Sequence, residues 1–563
     1  MRRVGRGRLA ALPIAAIGGG TAPAAAQSVV WPRWFWPLFA VGIVVNLLPL
    51  VVAPILPFND LHGAAGLLGA WVRRPNPEAR IDDYFTFNVH LAPNVIYWAV
   101  GWALTRLFSV TVATNLYIGL FCVVGLPVSL LVAVRALGKD PVLSFLAFPL
   151  IYHRCLWYGF MGSVPAVALL LLVIGFASLA YAQPHFSWRD LALAATMLVM
   201  ATAHAFLYLV TLGLMLLWAL LAMRQPSSWR RRLAALLPSL LYLGPWLAAT
   251  FFGAGGARHG GGEDGLLLYL WRQRPAFSHY LRSVRDWLID GYAGPIDDAV
   301  ALVFAATLLA FLLVGIRPPR PFSAAAAPEP RPARGRPAGD QSADKWWTAR
   351  VPITTALLTA GYFLLPMSIS RPHPWWAVHV RLLVPALLVG VLLVPVRRRG
   401  LPRVALVPVM VAAIFYGGYL TADFRFWWTN VELNGFSAAL AAIPPGQRVQ
   451  ALYPPYENER HYSHFPMGYI VDYYIVDRGG TAAPILAGPN ALWVAWRPQG
   501  PGPGWGFASA FNWAQHGRSW DYFLAKQPAP GNGPQLTFFS DAPTGAIRKV
   551  FEQGLWSVWR REM

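Results

Sequence analysis

The chain has 563 residues, of which 56% are hydrophobic and only 13% are charged. Soluble proteins carry about 25% charged residues, so this composition argues against a soluble, disordered or fibrous protein and indicates several membrane-spanning helices. The net charge of +21 raises the question of a nucleic-acid partner, but the basic residues cluster beside apolar runs and form no basic face with interleaved aromatic rings, so no nucleic acid is expected.

Residues 1–33 precede the first apolar run. They begin with an Arg2-Arg3 pair and contain small residues up to Gln27. Signal peptides share these features, but the apolar part here is short and is interrupted by Pro13. We favour an uncleaved cytoplasmic tail, with a cleaved signal peptide as the alternative.

Eleven apolar runs are long enough to be membrane-spanning helices. They lie at about 34–57, 93–109, 112–135, 142–160, 163–182, 190–223, 233–253, 298–316, 351–369, 381–396 and 403–421. The run at 190–223 exceeds the ~20 residues that cross a bilayer once, so it is either two short helices broken around His204 or one span plus a re-entrant piece. The predicted fold is a polytopic α-helical membrane domain of about 11 transmembrane helices over residues 34–421.

Arginine clusters predict how these helices are oriented. Those at 224–232, 317–350 and 397–403 mark cytoplasmic loops under the positive-inside rule. The N-terminus is then cytoplasmic, and the C-terminal part is extracytoplasmic. The 317–350 segment is rich in Pro, Ala and Arg and is predicted to be a disordered cytoplasmic linker. Arginine supplies nearly all of the basic charge, for which a GC-rich bacterial genome is the simplest explanation. With about 11 predicted spans, we expect a multi-pass protein of a bacterial inner membrane.

The first outer loop, residues 58–92, carries candidate functional residues. Asp60 and His62 directly follow the first apolar run, at the membrane–water boundary, where ionisable groups are costly and usually have a function. Asp83 and His90 precede the next run. Carboxylates and imidazoles transfer protons at neutral pH, so Asp60 and His62 are candidate catalytic residues and Asp83 and His90 candidate substrate ligands. The alternative is that these residues only mark where a loop meets water.

Two amphipathic stretches accompany the outer loops. Residues 61–72 are predicted to lie along the membrane interface. In the 254–297 loop, the aromatic residues of the stretch 269–287 would stack on a sugar or shelter a lipid, with a packed surface helix as the alternative. Glu263 and Asp264 in that loop are a weak signal for a divalent metal.

The outer segment 370–381 holds a cluster of cations and tryptophans. Its members are Arg371, His373, Trp375, Trp376, His379 and Arg381. Guanidinium groups bind phosphate oxygens through paired donors, and tryptophans anchor at the interface. We predict that Arg371, His373, His379 and Arg381 bind an anionic phosphate head attached to a lipid tail. The alternative is an ordinary aromatic belt with snorkelling arginines.

His153, Arg154 and His204 are ionisable residues within apolar runs. Such residues face a cavity or a partner, or they sit at the ends of short helices. They are the observation that motivates a second hypothesis, a lipid flippase or transporter.

After residue 422 the composition changes to short strand-like pieces bounded by turn signals. The predicted strands are 448–452, 469–476, 491–496, 522–524 and 535–539. About 140 residues suffice for a small domain, so residues 422–563 are predicted to form an extracytoplasmic mixed α/β domain.

Four features together resemble the GT-C glycosyltransferases, a superfamily of membrane-embedded enzymes that includes protein O-mannosyltransferases and arabinosyltransferases. They are an acid after the first span in Phe58-Asn59-Asp60-Leu61-His62, a long outer loop that enters a span through Pro93-Asn94-Val95-Ile96-Tyr97, an arginine that opens a late span in His379-Val380-Arg381-Leu382, and an outer domain that contains Tyr469–Val476 and Trp520–Leu524.

The resemblance implies an inverting transferase that moves a hexose or pentose from a polyprenyl-phosphate donor to a cell-envelope glycan, a lipid or a protein. It implies Asp60 as catalytic base and needs no nucleotide site. The residues agree with this chemistry, because such a transfer requires a base for the acceptor hydroxyl and cations, here Arg381 and Arg371, for the departing phosphate. We expect membrane lipids as further partners and no cofactor, with a divalent metal left open. The alternatives are a polyprenyl-lipid flippase or transporter and a non-catalytic membrane scaffold.

Overall fold

Helices make up most of the structure, a computed structural model. It describes residues 31–89, 91–222, 227–252, 274–316, 347–369, 375–394, 406–454, 461–486, 493–497, 506–531 and 533–562. The α-helices of these residues are α1 Phe35–Val52, α2 Asn59–Arg73, α3 Ile81–Tyr84, α4 Ile96–Leu104, α5 Val110–Ala136, α6 Arg154–Trp157, α7 Ser163–Tyr181, α8 Trp188–Ala203, α9 Ala205–Leu221, α10 Trp229–Ala234, α11 Leu237–Phe252, α12 Phe277–Leu288, α13 Ile296–Ile316, α14 Arg350–Leu364, α15 Leu383–Val391, α16 Leu406–Asp423, α17 Phe436–Ala441, α18 Tyr473–Arg478 and α19 Trp513–His516.

Five segments of the described chain are long and apolar enough to cross a membrane. They are Phe35–Val52, Val110–Ala136, Ser163–Tyr181, Ile296–Leu313 and Leu406–Glu432. Other predicted spans are present as shorter apolar helices, such as α9 and Pro141–Leu150, a 3₁₀ helix. The polytopic helical fold is therefore confirmed, and the count of about 11 spans stays a prediction.

The long apolar run at 190–223 forms two helices, which is one of the two predicted arrangements. α8 ends at Ala203, and His204 has an extended backbone with φ −161° and ψ 116°. The His204 side chain then caps α9, because its Nδ1 accepts a hydrogen bond from the Leu207 N–H at 3.3 Å. The break thus puts an imidazole at a helix start in the middle of an apolar run.

The C-terminal part contains a five-stranded sheet. The strands of the described residues are β1 Phe85–Phe87, β2 Ser368–Ile369, β3 Trp375–Trp376, β4 Arg448–Leu452, β5 Thr481–Ala483, β6 Val494–Trp496, β7 Tyr522–Lys526, β8 Ile547–Gln553 and β9 Trp556–Arg561. The order in the large sheet is β5-β4-β7-β9-β8, with β4 parallel to β5 and β7 and the other pairs antiparallel. A small mixed α/β unit is therefore confirmed. The predicted division at 422 falls within a helix that continues to Glu432.

Two predicted strands are wrong. Residues 470–478 form a 3₁₀ turn followed by α18. Because residues 470–475 are all buried, their sequence has no alternation of apolar and polar residues that would distinguish a strand from a helix. Residues 535–539 form no strand, because the Gln527 side chain holds the Leu536 backbone N–H and C=O at 2.7 and 2.9 Å, and Phe539 is left-handed with φ 61°. The edge hairpin of β8 and β9 was not predicted.

Helix α2 joins the membrane part to the C-terminal part. It is helical as predicted, but α18 covers its residues, which are almost all buried, instead of leaving them along a membrane interface. A Cβ on Gly69 would lie 2.7 Å from the Val476 Cα, so only glycine allows this close approach. A buried ion pair between Lys526 of β7 and Glu432, 2.8 Å apart, ties the sheet to the end of the last long helix.

Candidate functional site

Asp60 lies where two cavities meet. The smaller cavity, about 250 Å³, is lined mainly by residues of the helical part, including Asn94, His204 and Arg381. The larger cavity, about 640 Å³, is lined by residues of both the helical part and the C-terminal part, including Arg154 and Tyr469. Asp60 lines both, so a group bound in either cavity comes close to the same carboxylate. Below we call them the Arg381 cavity and the Tyr469 cavity.

The backbone around Asp60 fixes its position. Asp60 lies in the first turn of α2, where the helix dipole favours negative charge, and its N–H donates to the Tyr158 C=O at 3.0 Å. Gly159, which follows Tyr158 in the chain, has φ 74°, and a Cβ there would lie 2.4 Å from the Leu61 nitrogen. Only glycine fits this position, and so the Tyr158-Gly159 turn can pack directly against the first residues of α2.

Burial and charge set the acidity of Asp60. Burial raises the pKa of the Asp60 carboxyl from 3.8 to about 7, and the positive charge of Arg381 acts in the opposite direction. A carboxyl with a pKa near the ambient pH is suited to take up a proton from a bound hydroxyl and release it again.

Arg381 lies just before α15 and lines the Arg381 cavity. It lies in the 3₁₀ turn His379–Leu382, with its guanidinium carbon 4.5 Å from the Phe160 ring centroid. One guanidinium nitrogen contacts His204 Nε2. Arg381 and His204 therefore lie side by side on the wall of this cavity, where an oxyanion would bind the guanidinium.

The Tyr469 cavity has a different chemistry. Its cation, Arg154, forms an ion pair with the Asp290 carboxylate, donates to the Asp286 C=O at 2.7 Å and donates to the Ser463 C=O at 3.3 Å. The charge of Arg154 is thus already compensated by the protein. Five aromatic side chains that are exposed at least in part line this cavity: Tyr158, Trp376, Phe465, Tyr469 and Phe507.

A buried carboxylate holds one wall of the Tyr469 cavity in place. Asp423, in α16, accepts hydrogen bonds from Tyr292 and Tyr462 at 2.8 Å each and from His461 at 2.6 Å. The segment 461–465 that begins with His461 also pairs with the chain before α13, through Ser463 N–H to Gly291 C=O at 3.1 Å. Burial lowers the pKa of His464, in this segment, to about 4, so its ring is neutral at pH 7.

The predicted site residues separate into three groups. Asp60 and Arg381 line one cavity. His62, His379 and Asp83 do not line either Asp60 cavity: His62 is buried between Trp428 and Tyr473, His379 packs against Tyr280 and Tyr362, and exposed Asp83 pairs with Arg80 at 2.9 Å. His90, Arg371 and His373 lie outside the described residues, as do Glu263 and Asp264.

Sequence reasoning missed most of the cavity walls. The sequence singles out His204 and Arg154 as ionisable residues in apolar runs and Arg381 as a candidate phosphate ligand, but it does not show that Arg381 contacts His204 or that Arg154 pairs with Asp290. Both interpretations of His204 and Arg154 agree with the structure, because each residue lies at the start of a helix and each contacts a charged residue. Tyr158, Tyr469 and Phe507 gave no signal of their own, because aromatic residues make up 14% of the chain.

Within the described parts of the chain, no three His, Cys, Asp or Glu residues are grouped as a metal site would require. Metal dependence therefore stays an open prediction.

The fold is similar to that of ArnT from Cupriavidus metallidurans bound to undecaprenyl phosphate, with a TM-score of 0.50 and 13% identity over 93% of this chain and 97% of that chain. The apo state of the same protein gives a TM-score of 0.49 at the same identity and coverage. No protein-family profile and no curated protein sequence matches the chain. ArnT is a GT-C glycosyltransferase, so the predicted resemblance to the GT-C superfamily is confirmed at the level of the fold.

Proposed function

We propose that this protein is an inverting glycosyltransferase that moves a sugar from a polyprenyl-phosphate donor to a hydroxyl acceptor on the outer face of a bacterial inner membrane. The observation that carries the proposal is that Asp60 and Arg381, far apart in the sequence, open on the same cavity. One is a base with a pKa of about 7, and the other is a cation suited to phosphate.

The reaction is a single displacement. The acceptor oxygen attacks the anomeric carbon, the bond between that carbon and the phosphate oxygen breaks, and the acceptor proton passes to Asp60. Because the acceptor enters opposite the leaving phosphate, the configuration at the anomeric carbon inverts. The position of Asp60 between two cavities supports this arrangement, since donor and acceptor reach the carboxylate from different sides.

Arg381 and His204 are suited to the departing phosphate. A phosphate oxygen bound at the guanidinium accepts hydrogen bonds from its N–H groups and offsets the charge of Arg381, with His204 beside it on the cavity wall. These donors stabilise the negative charge that develops as the sugar leaves. Arg371 and His373 are proposed as further phosphate ligands from the adjoining outer segment, and Asp83 and His90 as substrate ligands stay predictions.

The donor class rests on the fold and on the site. The ArnT structure of similar fold holds undecaprenyl phosphate, and the Arg381 cavity combines a cation with the apolar side chains of Phe160, Met161 and Trp98. A phosphate on a polyprenyl tail matches this combination. Two of the three ionisable residues that motivated a transporter, His204 and Arg154, contact charged residues of the protein, so they do not favour that alternative.

The test of the function uses purified protein in detergent and a panel of farnesyl-phosphate-linked hexoses and pentoses. We expect one of these donors to be consumed by the wild-type protein, and Asp60→Asn to lower its consumption by about 10²–10⁴-fold, the usual contribution of a general base. Glu552→Gln removes an exposed carboxylate that pairs with Lys549 and serves as the control for charge.

Mass spectrometry of the copurified lipid gives an independent readout. We expect a polyprenyl phosphate in the wild-type protein and in Asp60→Asn, because Asp60 is not a phosphate ligand. Turnover by Asp60→Asn at the wild-type rate would remove the base assignment, and a protein that neither consumes nor retains any such lipid would contradict the function.

A further inference from the structure

The walls of the Tyr469 cavity indicate what the acceptor is. Three of its five aromatic rings come from the described segments after residue 461, and two, Tyr158 and Trp376, come from the helical part. Trp376 is 46% exposed although its ring forms a T-shaped pair with Tyr158, 5.4 Å between centroids. Flat, partly exposed rings held by their neighbours provide apolar faces at a low entropic cost for a bound ligand.

Charge in this cavity is already compensated. Arg154 is the cation among its described lining residues, and it is engaged by Asp290, by two backbone C=O groups and by the rings of Tyr158 and Trp287 at 5.5 and 5.6 Å. His464 is neutral at pH 7 because burial lowers its pKa. An anionic acceptor would therefore meet no uncompensated positive charge there, and it would face the carboxylate of Asp60.

Apolar ring faces beside a few hydrogen-bonding groups match the two surfaces of a sugar. The C–H face of a pyranose or furanose ring is apolar and packs on aromatic rings, while its hydroxyls require acceptors and donors at the edge. Asn59, Asp60 and the Tyr158 and Tyr469 hydroxyls are such groups on the same cavity wall.

We infer that the acceptor of this protein is an uncharged carbohydrate, which binds in the Tyr469 cavity with its ring against Trp376 and its reacting hydroxyl at Asp60. The inference rests on the proposed function and narrows its acceptor from a glycan, a lipid or a protein to a neutral glycan. The atoms balance as above: the acceptor oxygen bonds to the anomeric carbon, the donor's phosphate leaves, and the hydroxyl proton goes to Asp60.

The test supplies the donor consumed above together with two acceptor sets. One set contains neutral methyl hexosides and pentosides of one to three sugar units, and the other contains the same sugars bearing a phosphate. We expect transfer to at least one neutral glycoside at a higher kcat/KM than to its phosphorylated counterpart.

Variants of Trp376 separate acceptor binding from folding. Trp376→Ala should lower kcat/KM for the neutral acceptor about tenfold, chiefly through KM, because it removes a stacking face worth about 1.4 kcal/mol. Trp376→Phe, which keeps an aromatic ring, should recover most of the loss. Trp188→Ala, at a 59% exposed tryptophan that starts α8, is the control and should leave all rates unchanged.

The possible outcomes separate failure of the inference from failure of the proposed function. Transfer confined to phosphorylated acceptors, or water as the sole acceptor used, overturns the inference while the glycosyltransferase function stands. Equal effects of Trp376→Ala and Trp188→Ala also overturn it. If no donor is consumed, the proposed function fails, and the inference fails with it.

Discussion

The two cavities that meet at Asp60 differ in how their charge is managed. In the Arg381 cavity the guanidinium contacts the His204 imidazole and forms no salt bridge with a described carboxylate, so its charge is left to a ligand. In the Tyr469 cavity the guanidinium of Arg154 is paired with Asp290, and aromatic rings form the wall. We therefore propose that the same side-chain type binds a ligand in one cavity and is part of the scaffold in the other. The difference is that Arg154 forms a salt bridge with a carboxylate, which could not be inferred from the arginine alone.

The largest expected effect that tests this comparison is the loss of donor consumption when Arg381 is replaced. Arg381→Gln should lower donor consumption by about 10²–10³-fold, as expected for loss of a group that stabilises developing negative charge. His204→Gln, which retains a donor, should lose less than His204→Ala. The measurement is kcat for the farnesyl-phosphate sugar, with Arg548→Gln, an exposed arginine of the sheet edge, as control.

Arg154→Gln should act differently from Arg381→Gln. It leaves the Asp290 carboxylate without its partner, so the protein should lose thermal stability, because breaking a largely buried pair costs more than the pair contributes. Arg154→Gln with Asp290→Asn should restore much of this stability. If instead Arg154→Gln reduced donor affinity as strongly as Arg381→Gln without changing the melting temperature, the distinction between the two cavities would be wrong.

A smaller effect is expected at Asp423, which holds the 461–465 wall through three donors. Asp423→Asn should raise the acceptor KM about tenfold and leave donor hydrolysis nearly unchanged, because this wall belongs to the Tyr469 cavity only. Tyr462→Phe removes one of the donors and should give a weaker effect in the same direction. Equal losses in donor hydrolysis and in transfer would show instead that Asp423 supports the whole fold.

These differences also show what the sequence could and could not predict. Asp60 and Arg381 stand beside apolar runs, where an ionisable group is conspicuous, and so both were found. The run around His204 was long enough to suggest a break. Tyr469 was assigned to a strand, because a segment buried on all sides has no period to read, and its place on the cavity wall depends on the packing of α18 against α2. Contacts between distant segments, such as Arg154 with Asp290, leave no mark in either local sequence.

The smallest and most specific effect concerns pH. Asp60 accepts a proton only when ionised, so kcat/KM for the donor should rise with pH up to about 7 and then level off. Arg381 holds the Asp60 pKa down, so in Arg381→Gln the midpoint of the residual activity should move to higher pH. Stability should show the opposite trend. A folded-state pKa raised above 3.8 gives a contribution that is present at low pH and is lost as the pH rises through about 7. Asp60→Asn should remove this loss. If both profiles report Asp60, the rate should have its midpoint near pH 7, and the melting temperature should fall between pH 3.8 and about 7 and level off above that.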